Sequence, residues 1–255
     1  MAFNDRARAE SFGSVAELYD RVRPSYPSQL IDALLVGGPR SAVDVGCGTG
    51  IATALLTARG CQVLGVEVDE RMAELARAKG IEVEVAAFEL WDPAGRMFDL
   101  VTAAQSWHWV EPEVGTAKAA AALRPGGRIC AFWNIGIPPP HVREWMTPIY
   151  QRLEPGIENR SIVLGSAEPG ALGTPHVAAL AASTEFGTVS NAIFAWTMTY
   201  STAGWIDELN THSDHQALPP ERRERLLAAV SEAIDANGGS FEMHYDAVLI
   251  SATRT

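Results

Sequence analysis

Between residues 41 and 133 the apolar positions come in short unbroken blocks, separated by polar stretches of helical period. The blocks Ser41-Ala42-Val43-Asp44-Val45, 61–66, 81–86, 98–104 and 128–133 read as five strands. Unbroken apolar runs of this length suit strands covered on both faces of a parallel sheet. Between them, 51–59, 70–79 and 112–123 read as helices. Gly60 and Gly80 close the first two, and Asp69 is a candidate N-cap for the second. Arg124-Pro125-Gly126-Gly127 has Pro and Gly where a type II turn wants them. Strands alternating with helices of this size predict right-handed βαβ units.

The pattern is looser at both ends. Phe12, Val15, Ala16 and Tyr19 mark one face of a short helix, and 29–36 predicts another, stopped by Gly37-Gly38-Pro39. Between them Arg23-Pro24-Ser25-Tyr26-Pro27 is extended or turned, because each Pro restricts the residue before it. After Asn134 the run Pro138-Pro139-Pro140 breaks the chain, 141–153 reads as helix and 154–175 as loop. A strand follows at 189–200, then an amphipathic helix at 219–237 with Leu226, Leu227, Val230, Ala233 and Ile234 at helical spacing. A last strand covers 241–252. The last two strands are joined by helices, which allows an antiparallel pair at the sheet edge. The expected whole is an α/β, Rossmann-like, seven-stranded, mostly parallel sheet with an antiparallel edge strand, helices on both faces and helical lid insertions. A single domain, 1–255, is expected to divide into an N-terminal lid with helices at 1–40, a cofactor-binding core at 41–135, and acceptor-side insertions with the last two strands at 136–255.

Composition narrows the partners. Twenty Lys and Arg against 31 Asp and Glu leave a net charge of −11. Such a balance argues against nucleic acid and against an anionic membrane surface as partners. No apolar run of about 18 residues is present, so no transmembrane helix is expected. Met1 to Arg6 lacks an apolar signal core, and Cys47, Cys61 and Cys130 fit neither a metal pattern nor a disulfide framework. A reduced, cytoplasmic protein without a metal is the resulting expectation.

The chemistry concentrates at Asp44-Val45-Gly46-Cys47-Gly48-Thr49-Gly50, at the end of the first strand. Alternate glycines permit a tight turn and close approach of a ligand. A dinucleotide fingerprint needs a third Gly where Ile51 stands. An acidic residue beside a pyrophosphate would also repel it. Asp44 suits a ligand with a cationic group, by charge-assisted contact. Glu67, ending the second strand, suits the two hydroxyls of a ribose. A ribose and a positive tail without phosphate describe S-adenosylmethionine.

The sequence resembles class I S-adenosylmethionine-dependent methyltransferases, most closely those acting on small molecules. Five motifs carry the resemblance in order. They are Asp44 to Gly50, Gly65-Val66-Glu67-Val68-Asp69 with Met72, Ala86-Ala87-Phe88-Glu89, Phe98-Asp99-Leu100-Val101 followed by Gln105-Ser106-Trp107-His108-Trp109, and Leu123-Arg124-Pro125-Gly126-Gly127. They span residues 42–133, about a third of the chain. The resemblance implies that Glu67 holds the ribose and that the backbone at Gly46 and Gly48 lines the methionine portion. It implies that Val68, Met72 and Phe88 sandwich the adenine, with Ala87 beside them. Tyr19 and Arg23 would close over the cofactor, Arg23 pairing with the methionine carboxylate. Gln105 would face the reactive end. Two departures stand out. Ala87 and Phe88 occupy a stretch where many members carry an Asp, and the Asn/Asp-Pro-Pro-Tyr/Phe tetrapeptide of base-amine methyltransferases is missing.

The acceptor side carries no motif of its own. His108 is the candidate general base, with packing as the alternative. Trp107, Trp133, Asn134 and His215 are candidate acceptor contacts, and His212 and His215 lie in the segment that covers the acceptor in similar enzymes. The reaction expected is methyl transfer to a small-molecule acceptor, a carboxylate or an aromatic metabolite. The rivals are a cofactor-binding member without catalysis and an NAD-dependent oxidoreductase.

Overall fold

The computed structural model describes residues 10–158 and 174–255. Seven strands form one sheet in the order β3-β2-β1-β4-β5-β7-β6. They are β1 (Ser41–Val45), β2 (Gln62–Glu67), β3 (Glu82–Val85), β4 (Phe98–Ala104), β5 (Leu123–Ile137), β6 (Ser190–Ser201) and β7 (Ser240–Thr253). The first five run parallel to one another. β7 lies antiparallel between β5 and β6. The antiparallel pair expected at the edge is therefore present, with β7 reversed and β6 outermost.

The helices are α1 (Ala16–Val22), α2 (Ser28–Leu34), α3 (Ile51–Thr57), α4 (Glu70–Ala78), α5 (Pro112–Ala122), α6 (Pro140–Leu153), α7 (Pro155–Glu158), α8 (Thr174–Ala182), α9 (Thr202–Leu209), α10 (Ser213–Gln216) and α11 (Pro220–Ala236). A 3₁₀ turn, Glu10–Val15, precedes α1. Most boundaries fall within two residues of the sequence reading. α8 does not: the reading placed loop through 175, and 159–173 lie outside the described residues. The core of α8, Val177-Ala178-Ala179-Leu180-Ala181-Ala182, is apolar on every side. It offers no amphipathic period to detect. Among the described residues no helix is long and apolar enough to cross a membrane.

Both faces of the sheet are covered, as the unbroken apolar strands require. Along β5 the side chains alternate between two cores. Ile129, Ala131, Trp133 and Ile135 join Val43, Val45 and Val101 beneath α5 and α8. Cys130 and Phe132 join Leu30, Ile31 and Leu34 of α2 and Ala52 and Leu56 of α3 on the other face. A third core lies beyond the parallel strands. There β5 and β7 continue as an antiparallel ribbon, pairing Asn134 with Ala247 and Ile137 with His244. Met243 and Tyr245 of that ribbon pack with α6, α9 and α11. The ribbon thus carries α6, α9 and α11 past the carboxyl ends of the parallel strands. Strand five was expected to end at 133; pairing with β7 extends it four residues further.

The strand order fixes where a ligand sits. The chain runs outward from β1 to β2 and β3, then returns to place β4 on the other side of β1. The loops after β1 and β4 therefore part, and the crevice between them is the switch point of the sheet.

Phe132 is fully buried beneath this crevice, its ring 4.9 Å from Tyr26 in an edge-to-face contact. Replacing it by Ala removes a ring that holds α2 and the Tyr26 segment to the sheet. Phe132→Ala is expected to lower stability by about 3–5 kcal/mol in urea unfolding. A loss below about 1 kcal/mol would show that this face does not anchor the N-terminal segment.

Candidate functional site

The turn after β1 is held by two carboxylates. Asp44 is fully buried. One oxygen accepts from Thr53 Oγ1 of α3 at 2.6 Å, the other from Thr102 Oγ1 of β4 at 3.0 Å. Asp44 therefore pins α3 and β4 to β1. This corrects the expectation of a direct contact to a cationic ligand, because the carboxylate shows no surface to the crevice. Burial pushes its pKa up to about 6 against the pull of the two threonine hydrogen bonds.

Glu67 acts from the side. Oε2 accepts from Gly48 N at 2.7 Å, and Oε1 accepts from Val68 N at 2.8 Å and Asp69 N at 3.0 Å. Burial raises its pKa, and the three backbone donors oppose that. Oε1 has both acceptor positions filled; Oε2 has used one of two. The glycine turn itself lies in left-handed backbone, at φ +63° for Gly46 and +57° for Gly48. A Cβ at Gly46 would sit 2.6 Å from Ser106 Cβ. One at Gly48 would meet only Met72 Cε, at 3.5 Å, so the backbone there is open to close approach. Ser106 Oγ donates to the Val45 carbonyl, tying the β4 loop to the end of β1.

A recess of about 470 Å³, counted out to its open mouth, follows from these turns. It brings together Tyr19 and Arg23 from the N-terminal segment, Gly46 and Gly48 from the glycine turn, and Gln105 from the β4 loop. These five were expected from the sequence. Tyr26 and Thr49 also line it, and reading the chain missed them. The flanking prolines of Tyr26 were the available signal, since they hold that residue out of a helix. Gln105 is one of two described non-glycine residues at positive φ, +57°. Its Nε2 donates to the Asn134 carbonyl at 3.2 Å, and its N–H to Phe132 O at 2.9 Å. Such strain, held by hydrogen bonds on both sides, marks functional loops.

Val68 and Met72 lie on the Glu67 side of the same turn, Val68 half-buried and Met72 buried. Ala87 is half-buried and spends its carbonyl on Leu90 N and Trp91 N. Phe88 is not on the crevice. It is buried in the core, its ring 5.8 Å from both Trp91 and Trp107. This corrects its expected place against the adenine. Trp107 is likewise fully buried, against Phe88 and His176, and is core rather than an acceptor contact. The cause is common to both: large aromatic rings next to α5 and α8 complete a core that these helices cannot fill with alanine alone.

The remaining acceptor-side expectations also change. Trp133 is buried, and its indole N–H donates to His108 Nδ1 at 3.0 Å. An indole nitrogen only donates, so the neutral His108 carries its proton on Nε2. His108 thereby becomes a hydrogen-bond donor and not the general base expected. Asn134 is a tie rather than a ligand contact. Its Nδ2 donates to Ser25 O at 2.8 Å and its Oδ1 accepts from Trp196 Nε1 at 3.2 Å. His215 is fully buried between Asp214 Oδ1, 2.8 Å away, and Tyr150 Oη, 2.9 Å away. Arg23 Nη2 donates to Thr211 O at 2.9 Å, and Nη1 lies 3.5 Å from Glu208 Oε1. Its partner carboxylate is thus Glu208, where the resemblance implied one from the ligand. Among the described residues no group of three or more His, Cys, Asp or Glu side chains is placed to hold a metal ion.

A glycine turn at the switch point, an acidic residue ending the neighbouring strand and a recess beside them define a Rossmann-like α/β domain. Residues 43–131 match the methyltransferase-domain family. That match covers about a third of the chain and takes in both the glycine turn and Glu67. An uncharacterised methyltransferase of Mycobacterium tuberculosis is 38% identical over 137 residues, covering 52% of this chain and 56% of that one. The chain thus matches just over half the length of this relative. Solved structures share the fold of the described residues more broadly. A candidate type II methyltransferase from Anaeromyxobacter dehalogenans superposes with a TM-score of 0.64 at 23% identity, over 91% of this chain and 97% of that one. A phosphoethanolamine N-methyltransferase of Haemonchus contortus, in complex with S-adenosyl-L-methionine, gives 0.54 at 13% identity, over 100% of this chain and 60% of that one.

The buried carboxylate of Asp44 makes a pH prediction. Its pKa is about 6 in the folded chain and near 3.8 in the unfolded one. The folded state therefore holds the proton more tightly, and stability falls as pH rises between about 4 and 6. The difference corresponds to about 3 kcal/mol, as an order of magnitude. Asn at this position stays neutral and keeps partners in both threonine hydroxyls. Asp44→Asn is expected to gain stability relative to wild type from pH 4.5 to pH 7 in urea unfolding. A pH-independent difference would place the titration elsewhere.

Proposed function

We propose that the protein transfers a methyl group from S-adenosylmethionine to a small-molecule acceptor. The observation that carries this is the open backbone at Gly48, flanked by Glu67 and by the recess under Tyr19 and Arg23. Glu67 Oε2, with acceptor capacity left, would take a ribose hydroxyl. Val68 and Met72 would lie beside the base. The turn at Gly46 and Gly48 and the side chain of Gln105 would line the methionine portion. A pyrophosphate fits poorly, because the Glu67 carboxylate sits against the Gly48 N–H and places negative charge beside the turn.

The ligand, when bound, supplies a sulfonium methyl that is already activated. What this chain must add is alignment of the acceptor in line with the methyl and exclusion of water. The segment from Tyr19 to Tyr26 supports exclusion. It is tied to the core by Asp20 with Lys79, to the ribbon by Ser25 with Asn134, and to the insertions by Arg23 with Thr211. The net charge of −11 favours a small acceptor over nucleic acid, and an aromatic metabolite or a carboxylate is the class proposed.

Calorimetric titration with S-adenosylmethionine, S-adenosylhomocysteine and NAD tests the reading. Micromolar binding of the two sulfur compounds with none for NAD is expected, and NAD binding alone would refute it. Glu67→Ala is expected to weaken S-adenosylhomocysteine by roughly 1–3 kcal/mol, through the lost ribose bond and the loosened Gly48 turn. Unchanged affinity would remove Glu67 from the site.

A further inference from the structure

The sheet ends in two unlike edges. One is β3, the four residues Glu82-Val83-Glu84-Val85, with two carboxylates on the strand itself. The other is β6, twelve residues long and about 40 Å from end to end. A bare sheet edge is a template for another strand, so edges are guarded by short length, charge, proline or a bulge. β3 is guarded in the first two ways. β6 has none of the four. Ser190 to Ser201 contains no Asp, Glu, Lys, Arg, His or Pro. Its register against β7 runs from Ser190 with Ser251 to Ser201 with Ser240 without a shift. Among the described residues no strand pairs with its outer side, so every second residue turns an N–H and a C=O outward.

The side chains at this edge are as bare as the backbone. Ile193 is 59% exposed. With Ala195, Thr197 and Thr199, also exposed, it forms an uncharged row on one face of the strand. Phe194, Trp196 and Met198, on the other face, are only half-buried. Their inner sides meet the cores beneath the helices, and beyond them the sheet stops. Large apolar side chains left part-exposed along an unpaired edge point to a neighbour that continues the sheet.

A strand added here must be extended, neutral along its length and free on one side. A second copy of β6 meets all three conditions. β3 of another copy does not: it would set Glu82 and Glu84 against the apolar row and leave an open edge at each end, so the assembly would never close. We propose that β6 pairs with β6 of a second copy, antiparallel about a two-fold axis normal to the sheet, joining the two seven-stranded sheets edge to edge. Such an axis keeps each face of the sheet on its own side. Phe194, Trp196 and Met198 of the two copies then meet on one face, and Ile193, Ala195, Thr197 and Thr199 on the other. Charge permits this edge. Each copy carries −11, which opposes association wherever carboxylates face one another. The carboxylates of the neighbouring strand are Glu242 and Asp246 on β7. In the pair the two β7 strands stand three strand spacings apart, about 14 Å. That exceeds the screening length of about 8 Å at physiological salt. The pairing is independent of the methyltransferase reading.

Sedimentation velocity of the full chain, from low to high micromolar concentration, tests the proposal. Wild type is expected to dimerise, and more tightly as salt rises, because screening relieves the repulsion between two acidic copies. Hydrogen exchange is expected to show the amides of residues 190–201 gaining protection as the dimer forms. Ile193→Lys places like charges in the pairing and is expected to weaken the dimer about tenfold or more. Thr197→Lys serves as a second variant should the first not fold. Val114→Lys, at an exposed apolar position on α5, is expected to leave the dimer unchanged. A monomer at every concentration overturns the proposal. So does a dimer that neither lysine in β6 weakens, one that forms without protecting residues 190–201, or an assembly that grows beyond two copies.

Discussion

The structure of the site depends on how the turn after β1 is held. A chain leaving a buried strand must reverse within five residues while keeping its backbone amides toward a ligand. Glycine supplies the dihedral freedom but no rigidity. The rigidity comes from two carboxylates. Asp44, beneath the turn, is bonded to Thr53 of α3 and Thr102 of β4. Glu67, beside it, gathers the N–H groups of Gly48, Val68 and Asp69. Both pay a desolvation cost, visible in their raised pKa values, and each is offset by short hydrogen bonds. Because Asp44 reaches β4 and Glu67 lies on β2, three adjacent strands are fixed relative to the turn.

The second constraint is the seam between the parallel core and the rest of the chain. The N-terminal segment is polar along its inner side, and its contacts reach both halves of the molecule. Asp20 meets Lys79, which also donates to the Thr49 carbonyl of the glycine turn. Asn134 meets Ser25 and Trp196, and its carbonyl holds Gln105. Arg23 meets Glu208 and Thr211. Displacement of the segment would therefore disturb the glycine turn, the strained Gln105 and the end of α9 together. Directional polar contacts of this kind hold one arrangement without the large apolar burial that would make it permanent.

Local signals in the chain were sufficient for much of this. Unbroken apolar blocks reported a doubly covered sheet, and the residues between Asp44 and Gly50 and at Glu67 reported the glycine turn and the acidic residue that holds it. Ambiguity entered where a residue type serves two ends. Phe88, Trp107 and Trp133 are as suited to a pocket as to a core, and all three are buried. Asn134 is as suited to a ligand as to a backbone tie. α8 was invisible because a helix apolar on all sides has no period.

The sequence by itself determined the parallel core, the order of its elements, the glycine turn and the identity of the acidic residues around it. These follow from patterns within about twenty residues, where side-chain period and backbone restriction act directly. Tertiary structure alone decided which side chains face the crevice. Glu208 and Arg23 are 185 residues apart, and His108 and Trp133 are 25 apart. Whether such groups meet depends on the β5–β7 ribbon carrying α9 and α10 over the lid segment, a long-range pairing that no local pattern records.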